Sequence, residues 1–207
     1  MNPLPLPDDD RSAVGSRLEQ ICADPDLHIR FLNTLSLMEH IGSRKIMLAQ
    51  PRVPDGAMLK HLAEETRHAW FFKRAAEKLA GRMLDYDDDA LLAGAAARLY
   101  MDRLDAAISS AIAPGEGPLP YLYMSLIIER RAIWAYRIYH SVLAERNSGI
   151  SLTGVLAEED LHHDNMLAGI GARDPRSQER MAVFCAMEQD NFRRFWSAVE
   201  QSACARC

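Results

Sequence analysis

The sequence feature that most constrains the fold is a five-residue motif, Glu-Glu-x-x-His, which occurs at residues 64–68 and again at residues 158–162. Residues three apart on a helix lie on one face, so the second Glu and the His of each copy can contact the same metal ion. These four residues are Glu65, His68, Glu159 and His162. The repeat therefore predicts two helices that each present a carboxylate and an imidazole to a common interior.

Both motif glutamates interrupt a stripe of apolar residues at helical spacing, which predicts that they face a core. Glu39 and Glu129 interrupt apolar stripes in the same way. A buried carboxylate without a partner is costly, so it needs a proton, a cation or a metal ion. In chain order the core-facing residues read Glu, Glu-x-x-His, Glu, Glu-x-x-His.

The charges of these residues suit a dinuclear metal site. Four carboxylates would balance two divalent ions, and neutral imidazoles would add no charge. Six nitrogen and oxygen ligands suit iron or manganese and leave coordination positions open. The alternative is a buried polar network without metal, which would be an expensive arrangement at the centre of a helical bundle.

Length and composition narrow the class of protein. The chain of 207 residues is long enough for one domain with a sizeable core, and its net charge of −5 gives no reason to expect nucleic acid or anionic membrane. No apolar run is long enough to span a membrane, and residues 1–10 do not resemble a secretory signal, so we expect a cytoplasmic protein. The C-terminal Cys204-Ala-Arg-Cys207 is either an exposed tail or a redox pair.

We expect a single all-α domain over residues 1–207, because apolar residues often recur at helical spacing and no segment alternates apolar and polar residues as a strand does. Residues 1–24 are predicted to form a leader and a short helix. The predicted helices span 25–50 (helix A), 56–80 (helix B), 88–112 (an extra helix), 118–146 (helix C), 151–170 (helix D) and 175–203 (a C-terminal helix).

The positions of the glutamates relative to the turns give a check on this arrangement. Glu39 and Glu65 are each 13 residues from position 52, so they should face each other in an antiparallel hairpin. Glu129 lies 20 residues before the centre of the C–D turn and Glu159 lies 10 after it. At about 1.5 Å per residue they would differ in height by roughly 15 Å, so helix C must end early or residues 141–151 must fold back.

The ligand pattern over residues 27–170 resembles the ferritin-like di-iron carboxylate superfamily, in which two helices give one Glu each and two others give Glu-x-x-His. The six matching positions are Glu39, Glu65, His68, Glu129, Glu159 and His162. The resemblance implies a ferritin-like four-helix bundle, with one extra helix between helices B and C and one C-terminal helix. Glu65 and Glu159 would bridge the two ions. The chain is most similar to the rubrerythrin-related and tRNA-hydroxylase-like branches, but it lacks the Cys-x-x-Cys pairs of a rubredoxin domain.

This resemblance implies a di-iron oxidoreductase that activates O₂ or peroxide, as a hydroxylase or oxidase with an external electron donor. Its cofactors would be two iron ions, with manganese or a mixed iron–manganese pair as the alternative. The substrate would be a small molecule or a modified tRNA. Two copies of the chain could form a homodimer. Alternative functions are iron storage, rubrerythrin-type peroxide detoxification, and a non-catalytic binding module stabilised by metal.

Several neighbouring residues have two interpretations each. Tyr136 lies on the same helical face as Glu129. In one interpretation it donates protons or electrons and is a catalytic residue together with Glu65 and Glu159. In the other it is an ordinary tyrosine of the core. His61 is either a substitute ligand or a core histidine with a satisfied hydrogen bond. The parallel between the two motifs favours His162 over His163 as a ligand.

Two further sets of side chains are less specific. Glu64 and Glu158 either orient a ligand histidine or lie on a solvated face. Arginines on the predicted helices form either a tRNA-binding patch or an ordinary solvated surface, and they are Arg130, Arg131, Arg137, Arg193 and Arg194.

Overall fold

The computed structural model describes residues 9–49, 53, 55–113 and 115–204. Within this part of the chain the structure contains seven α-helices and one 3-10 turn and no β-strand, which confirms the predicted all-α class. The helices are α1 (Arg11–Ala23), α2 (Pro25–Ala49), α3 (Gly56–Ala80), α4 (Gly94–Ala111), α5 (Leu119–Glu145), α6 (Thr153–Arg173) and α7 (Ser177–Cys204). Among the described helices, none combines the length and the apolar character needed to cross a membrane. Residues 1–8 of the predicted leader and Cys207 of the Cys-x-x-Cys pair lie outside the described residues.

Aspartates begin three of the helices. Asp10 accepts hydrogen bonds from two amides of the first turn of α1, at 2.9 and 3.0 Å. Asp24 accepts hydrogen bonds from two amides of the first turn of α2, where Pro25 occupies the first helical position. At the start of α3, Asp55 accepts a hydrogen bond from the amide of Met58 at 2.7 Å. These side chains satisfy amides that have no partner inside the helix, which is why the helices begin where the sequence places an aspartate.

The extra helix predicted over residues 88–112 is helical only as a 3-10 turn at Asp88–Ala90 and then as α4, from Gly94. Two buried side chains of α2 bind the intervening backbone. The amide of Asn33 donates to the carbonyl of Ala90 at 2.9 Å, and the hydroxyl of Thr34 accepts from the amide of Leu92 at 2.9 Å. Because these backbone groups bind α2, they are not available for a continuous helix.

Helix α6 continues past the end predicted at residue 170. Gly169 and Gly171 do not end the helix, since α6 includes both glycines and extends to Arg173. A Cβ at Gly169 would lie 3.5 Å from a methyl group of Leu122 in α5, which is an ordinary van der Waals distance, so this part of α6 packs directly against α5. The conformational cost of glycine within a helix, about 0.5–1 kcal/mol, is small enough for packing to outweigh it.

The chain divides into two compact units. The α2/α3 unit consists of Ser16–Asp102 and Arg193–Cys207, and the α5/α6 unit consists of Met1–Gly15 and Arg103–Phe192. In the α5/α6 unit an apolar core is formed by residues from four helices, and it includes Leu104, Ile108, Tyr123, Leu126, Ile127, Ile170 and Phe184. Each unit contains one antiparallel pair of helices, α2 with α3 or α5 with α6, and each pair carries one copy of the Glu-Glu-x-x-His motif.

Candidate metal centre

Helices α2 and α3 are aligned by a hydrogen bond between buried groups. The hydroxyl of Ser36 donates to the backbone carbonyl of Ala69 at 2.7 Å. Glu39 is three residues further along α2, so in this antiparallel pair it lies at the height of the turn that contains Glu65. The two glutamates therefore face each other, as their equal distances from the turn predicted.

Three of the predicted ligands come together in this hairpin. Glu39, Glu65 and His68 each offer one ligand atom, and these atoms lie within 4.8 Å of one another. All three side chains are buried, with Glu65 8% and His68 2% exposed. A cluster of buried carboxylate oxygens and an imidazole nitrogen is of the composition that divalent metal ions bind, so these groups could hold a metal ion.

The carboxylate of Glu65 lies between two imidazoles. Its Oε1 is 3.4 Å from Nε2 of His61 and 4.0 Å from Nδ1 of His68. Burial alone would raise the pKa of Glu65, but a hydrogen bond with His61, the attraction of both imidazoles and a hydrogen bond with Glu39 outweigh it and lower this pKa. The surroundings therefore favour the ionised carboxylate, which is the form that binds a metal ion.

Gly42 leaves space beside this carboxylate. A Cβ at position 42 would lie 3.3 Å from Oε2 of Glu65 and 4.0 Å from Cε of Met101. The first distance is shorter than an ordinary van der Waals contact. A larger side chain at this position would therefore displace Glu65 or restrict how it can turn.

The α5/α6 unit buries the other three predicted ligands, which are Glu129, Glu159 and His162. Glu159 and His162 share a face of α6, as the three-residue spacing predicted, and each is no more than 3% exposed. Two buried carboxylates and a buried imidazole in one helical hairpin repeat the composition of the α2/α3 cluster.

The connection between α5 and α6 removes most of the height difference expected from the sequence. Helix α5 extends to Glu145, one residue before its predicted end, so it does not end early. Instead the chain folds back, since the amide of Leu152 donates to Nδ1 of His140 at 3.3 Å. Counting eleven residues back from His140 reaches Glu129, and eleven on from Leu152 reaches His163. Glu129 is therefore level with the motif of α6, within about one helical turn of Glu159.

Three further candidate residues, which are Tyr136, Glu64 and Glu158, differ in burial. Tyr136 is buried on α5, two turns after Glu129. Glu64 is buried as well, and its carboxylate accepts a hydrogen bond from Lys60 at 2.6 Å and lies 3.8 Å from Arg67. Both of these partners lie on α3, the helix that carries Glu64. Glu158 is half-buried.

The structure separates the two adjacent histidines of α6. The side chain of His162 is buried, whereas that of His163 is 22% exposed and lies 3.6 Å from the carboxylate of Asp164. His162 therefore has the interior position that a ligand requires.

Two of the five arginines, which were expected in either a tRNA-binding patch or a solvated surface, are buried, so neither interpretation holds for these two. Nε and Nη2 of Arg131 donate to the two carboxylate oxygens of Glu188, at 2.7 and 2.9 Å, and its Nη1 donates to Asp9 at 2.6 Å. Nη1 of Arg130 lies 3.9 Å from the same Glu188 carboxylate. Both arginines therefore stabilise an internal carboxylate rather than present positive charge to a ligand.

The sequence analysis missed Glu188, which is fully buried in α7. It lies four residues after Phe184 and four before Phe192, so it interrupts an apolar stripe just as the predicted ligands do. That pattern identifies a buried carboxylate but does not identify its partner. Glu65 and Glu159 are each followed three residues later by a histidine, whereas Glu188 is not, and this difference separates the predicted ligands from Glu188.

No protein-family model, no curated protein and no solved structure matches this chain. What can be said about its function therefore comes from the residues and their geometry.

Proposed function

We propose that this chain is a ferritin-like di-iron carboxylate protein. The observation that carries the proposal is the buried cluster of Glu39, Glu65 and His68 between α2 and α3. In this proposal each hairpin supplies three ligands, which are Glu39, Glu65 and His68 from α2 and α3, and Glu129, Glu159 and His162 from α5 and α6. Helices α2, α3, α5 and α6 would form the four-helix core, with α4 inserted between the hairpins and α7 added at the C-terminal end.

The residues fit a pair of divalent cations. Four carboxylates would balance their charge, and the lowered pKa of Glu65 keeps at least that carboxylate ionised in the interior. Mixed nitrogen and oxygen donors favour iron, and manganese is the alternative metal or half of a mixed pair. The second hairpin supports the proposal because it buries the same residue types in the same order.

Two ferrous ions held by these residues would supply the electrons that reduce O₂ or peroxide. The chain itself contributes ionised carboxylates, a buried environment that limits access of water, and space beside Glu65 at Gly42. Tyr136 is the candidate for proton or electron transfer, because it is buried on the helix that carries Glu129.

The reaction class that we propose is that of an O₂-activating hydroxylase or oxidase. The reducing equivalents would come from an external electron donor. The substrate class is a small molecule or a modified tRNA. A tRNA substrate would have to bind without Arg130 and Arg131, which are buried.

The test is to purify the protein without chelators, to measure its iron and manganese content, and to follow O₂ consumption after loading with Fe(II). We expect about two metal ions per chain and O₂ consumption faster than that of the same concentration of free Fe(II). Glu65→Gln and Glu159→Gln should each reduce both quantities. Glu145→Gln, which changes an exposed residue at the end of α5, is the matched control.

The same measurements separate the alternative functions. Absence of bound metal, or O₂ consumption no faster than that of free iron, overturns the proposal. A solution mass of 12 or 24 subunits would indicate iron storage, and rapid peroxide reduction without O₂ consumption would indicate peroxide detoxification. A metal-loaded protein without oxidase activity that loses binding to a partner on metal removal, but stays folded, would indicate a structural metal in a binding module.

A further inference from the structure

His61 is a second histidine that faces Glu65 within α3. It is 3% exposed, and its Nε2 lies 3.4 Å from Oε1 of Glu65. It precedes Glu65 by four residues, whereas His68 follows by three, and both spacings place side chains on one face of a helix. Helix α3 therefore presents His-x-x-x-Glu-x-x-His along a single buried face.

The two histidines approach Glu65 from opposite ends of the helix. Seven residues separate His61 from His68, which corresponds to about 10.5 Å along the helix axis. Glu65 lies between them, close to the nitrogen of each. Both imidazoles approach the same carboxylate oxygen, Oε1, from positions before and after Glu65 in the helix.

We propose that His61 is a seventh protein ligand, which would hold the second metal ion while Glu39 and His68 hold the first. This inference rests on the proposed function and adds one residue to its site. In this arrangement α3 would supply three donors to the site, which are the imidazoles of His61 and His68 and the carboxylate of Glu65.

Charge explains why the additional ligand is a histidine. Four carboxylates already neutralise two divalent ions, so a fifth carboxylate would leave the buried cluster with a net negative charge. A neutral imidazole adds a donor without adding charge. An imidazole next to an ionised carboxylate could alternatively act only as a hydrogen-bond donor that positions Glu65, so the experiment must distinguish a ligand from a positioning residue.

The first measurement needs no variant. The protein is loaded with Co(II), and the exchangeable imidazole N–H resonances that the paramagnetic ions shift are counted by NMR. Three such resonances are expected if His61 is a ligand together with His68 and His162. Two resonances in a protein that binds two cobalt ions would overturn the role of His61 and leave the proposed function standing. A protein that binds no cobalt would overturn both.

The second measurement uses His61→Gln, which keeps an amide donor for Glu65 but removes the imidazole. We expect the variant to bind one Co(II) ion as the wild type does and the second at least tenfold more weakly. His28→Gln, which changes a buried histidine of α2 eleven residues before Glu39, is the control and should bind both ions normally. If His61→Gln binds both ions with wild-type affinity, His61 is not a ligand. If the variant fails to fold, as judged by circular dichroism, the resonance count in the wild type decides.

Discussion

The backbone amide of Leu152 donates a hydrogen bond to Nδ1 of His140, at 3.3 Å, at the start of α6. Helix α6 therefore begins beside His140, although α5 continues for five more residues to Glu145. At the other end of the pair, a Cβ at Gly169 would lie 3.5 Å from Leu122. Both contacts give the same register, and it brings the middle of α5 level with the Glu-Glu-x-x-His motif of α6.

Replacing His140 with phenylalanine should weaken this connection. The side chain stays aromatic and becomes only slightly larger, but the amide of Leu152 loses its acceptor, so we expect a loss of about 0.5–1.5 kcal/mol in the free energy of unfolding. Urea denaturation followed by circular dichroism measures this change. Ser141→Ala, at an exposed neighbouring position, is the control. Equal stability of the two variants would show that the hydrogen bond does not hold the connection.

The two hairpins differ in how far the sequence could predict them. Only six residues separate the end of α2 from the start of α3, so counting outward from position 52 was enough to pair Glu39 with Glu65. Between α5 and α6 the same count failed because a side chain, His140, binds the backbone of the connecting segment. Such a bond between a side chain and a distant backbone group has no periodic pattern in the sequence. The interrupted helix before α4 has the same cause, since Asn33 and Thr34 bind backbone groups of residues 85–92.

Gly42→Ala should lower metal affinity with little loss of folding stability. The added methyl group would lie 3.3 Å from Oε2 of Glu65. In the metal-free protein the carboxylate can turn away, but a carboxylate that binds metal cannot, so the cost falls on metal binding. We expect Mn(II) affinity, measured by calorimetry, to decrease about tenfold, which corresponds to about 1.4 kcal/mol.

Gly154→Ala is the matched control for this change. Gly154 is also a helical glycine, but a Cβ there would have no neighbour within 4 Å. This substitution should leave metal affinity unchanged and increase stability slightly, because alanine favours the helix. If both variants bind Mn(II) alike, the space at Gly42 does not serve the metal site.

Glu188→Gln should destabilise the protein strongly. Glu188 is fully buried and accepts two hydrogen bonds from Arg131, with Arg130 3.9 Å away. Loss of its charge leaves buried guanidinium groups without their counter-ion, which typically costs about 3–5 kcal/mol. Chemical denaturation measures the change, and Glu179→Gln, at an exposed position of the same helix, should have little effect. A cost below 1 kcal/mol would indicate that solvent or Asp9 compensates for the lost charge.

Asp174 joins the end of α6 to α5 and α7 through a buried network. Its Oδ2 accepts hydrogen bonds from the hydroxyl of Tyr123 at 2.6 Å and from Nη1 of Arg180 at 3.0 Å. Burial alone would raise the pKa of Asp174, but hydrogen bonds from Tyr123, the amide of Arg176 and Arg180 outweigh it and lower this pKa. Burial and the bond to Asp174 raise the pKa of Tyr123, so the phenol remains a donor at neutral pH.

Asp174→Asn should therefore cost stability at neutral pH and lose that effect in acid. A carboxyl whose pKa is lower in the folded state stabilises the protein above its ordinary pKa, and the contribution is lost as the pH falls through the folded value. We expect a deficit of about 2 kcal/mol at pH 7 that shrinks as the pH falls below about 4, where the wild type also becomes protonated. Urea denaturation of both proteins at several pH values measures the difference, and other carboxyl groups titrate in both and cancel. Asp190→Asn, on the exposed side of α7, should show no such deficit. A deficit that stays constant down to about pH 2 would mean that packing rather than the charge of Asp174 holds the network together.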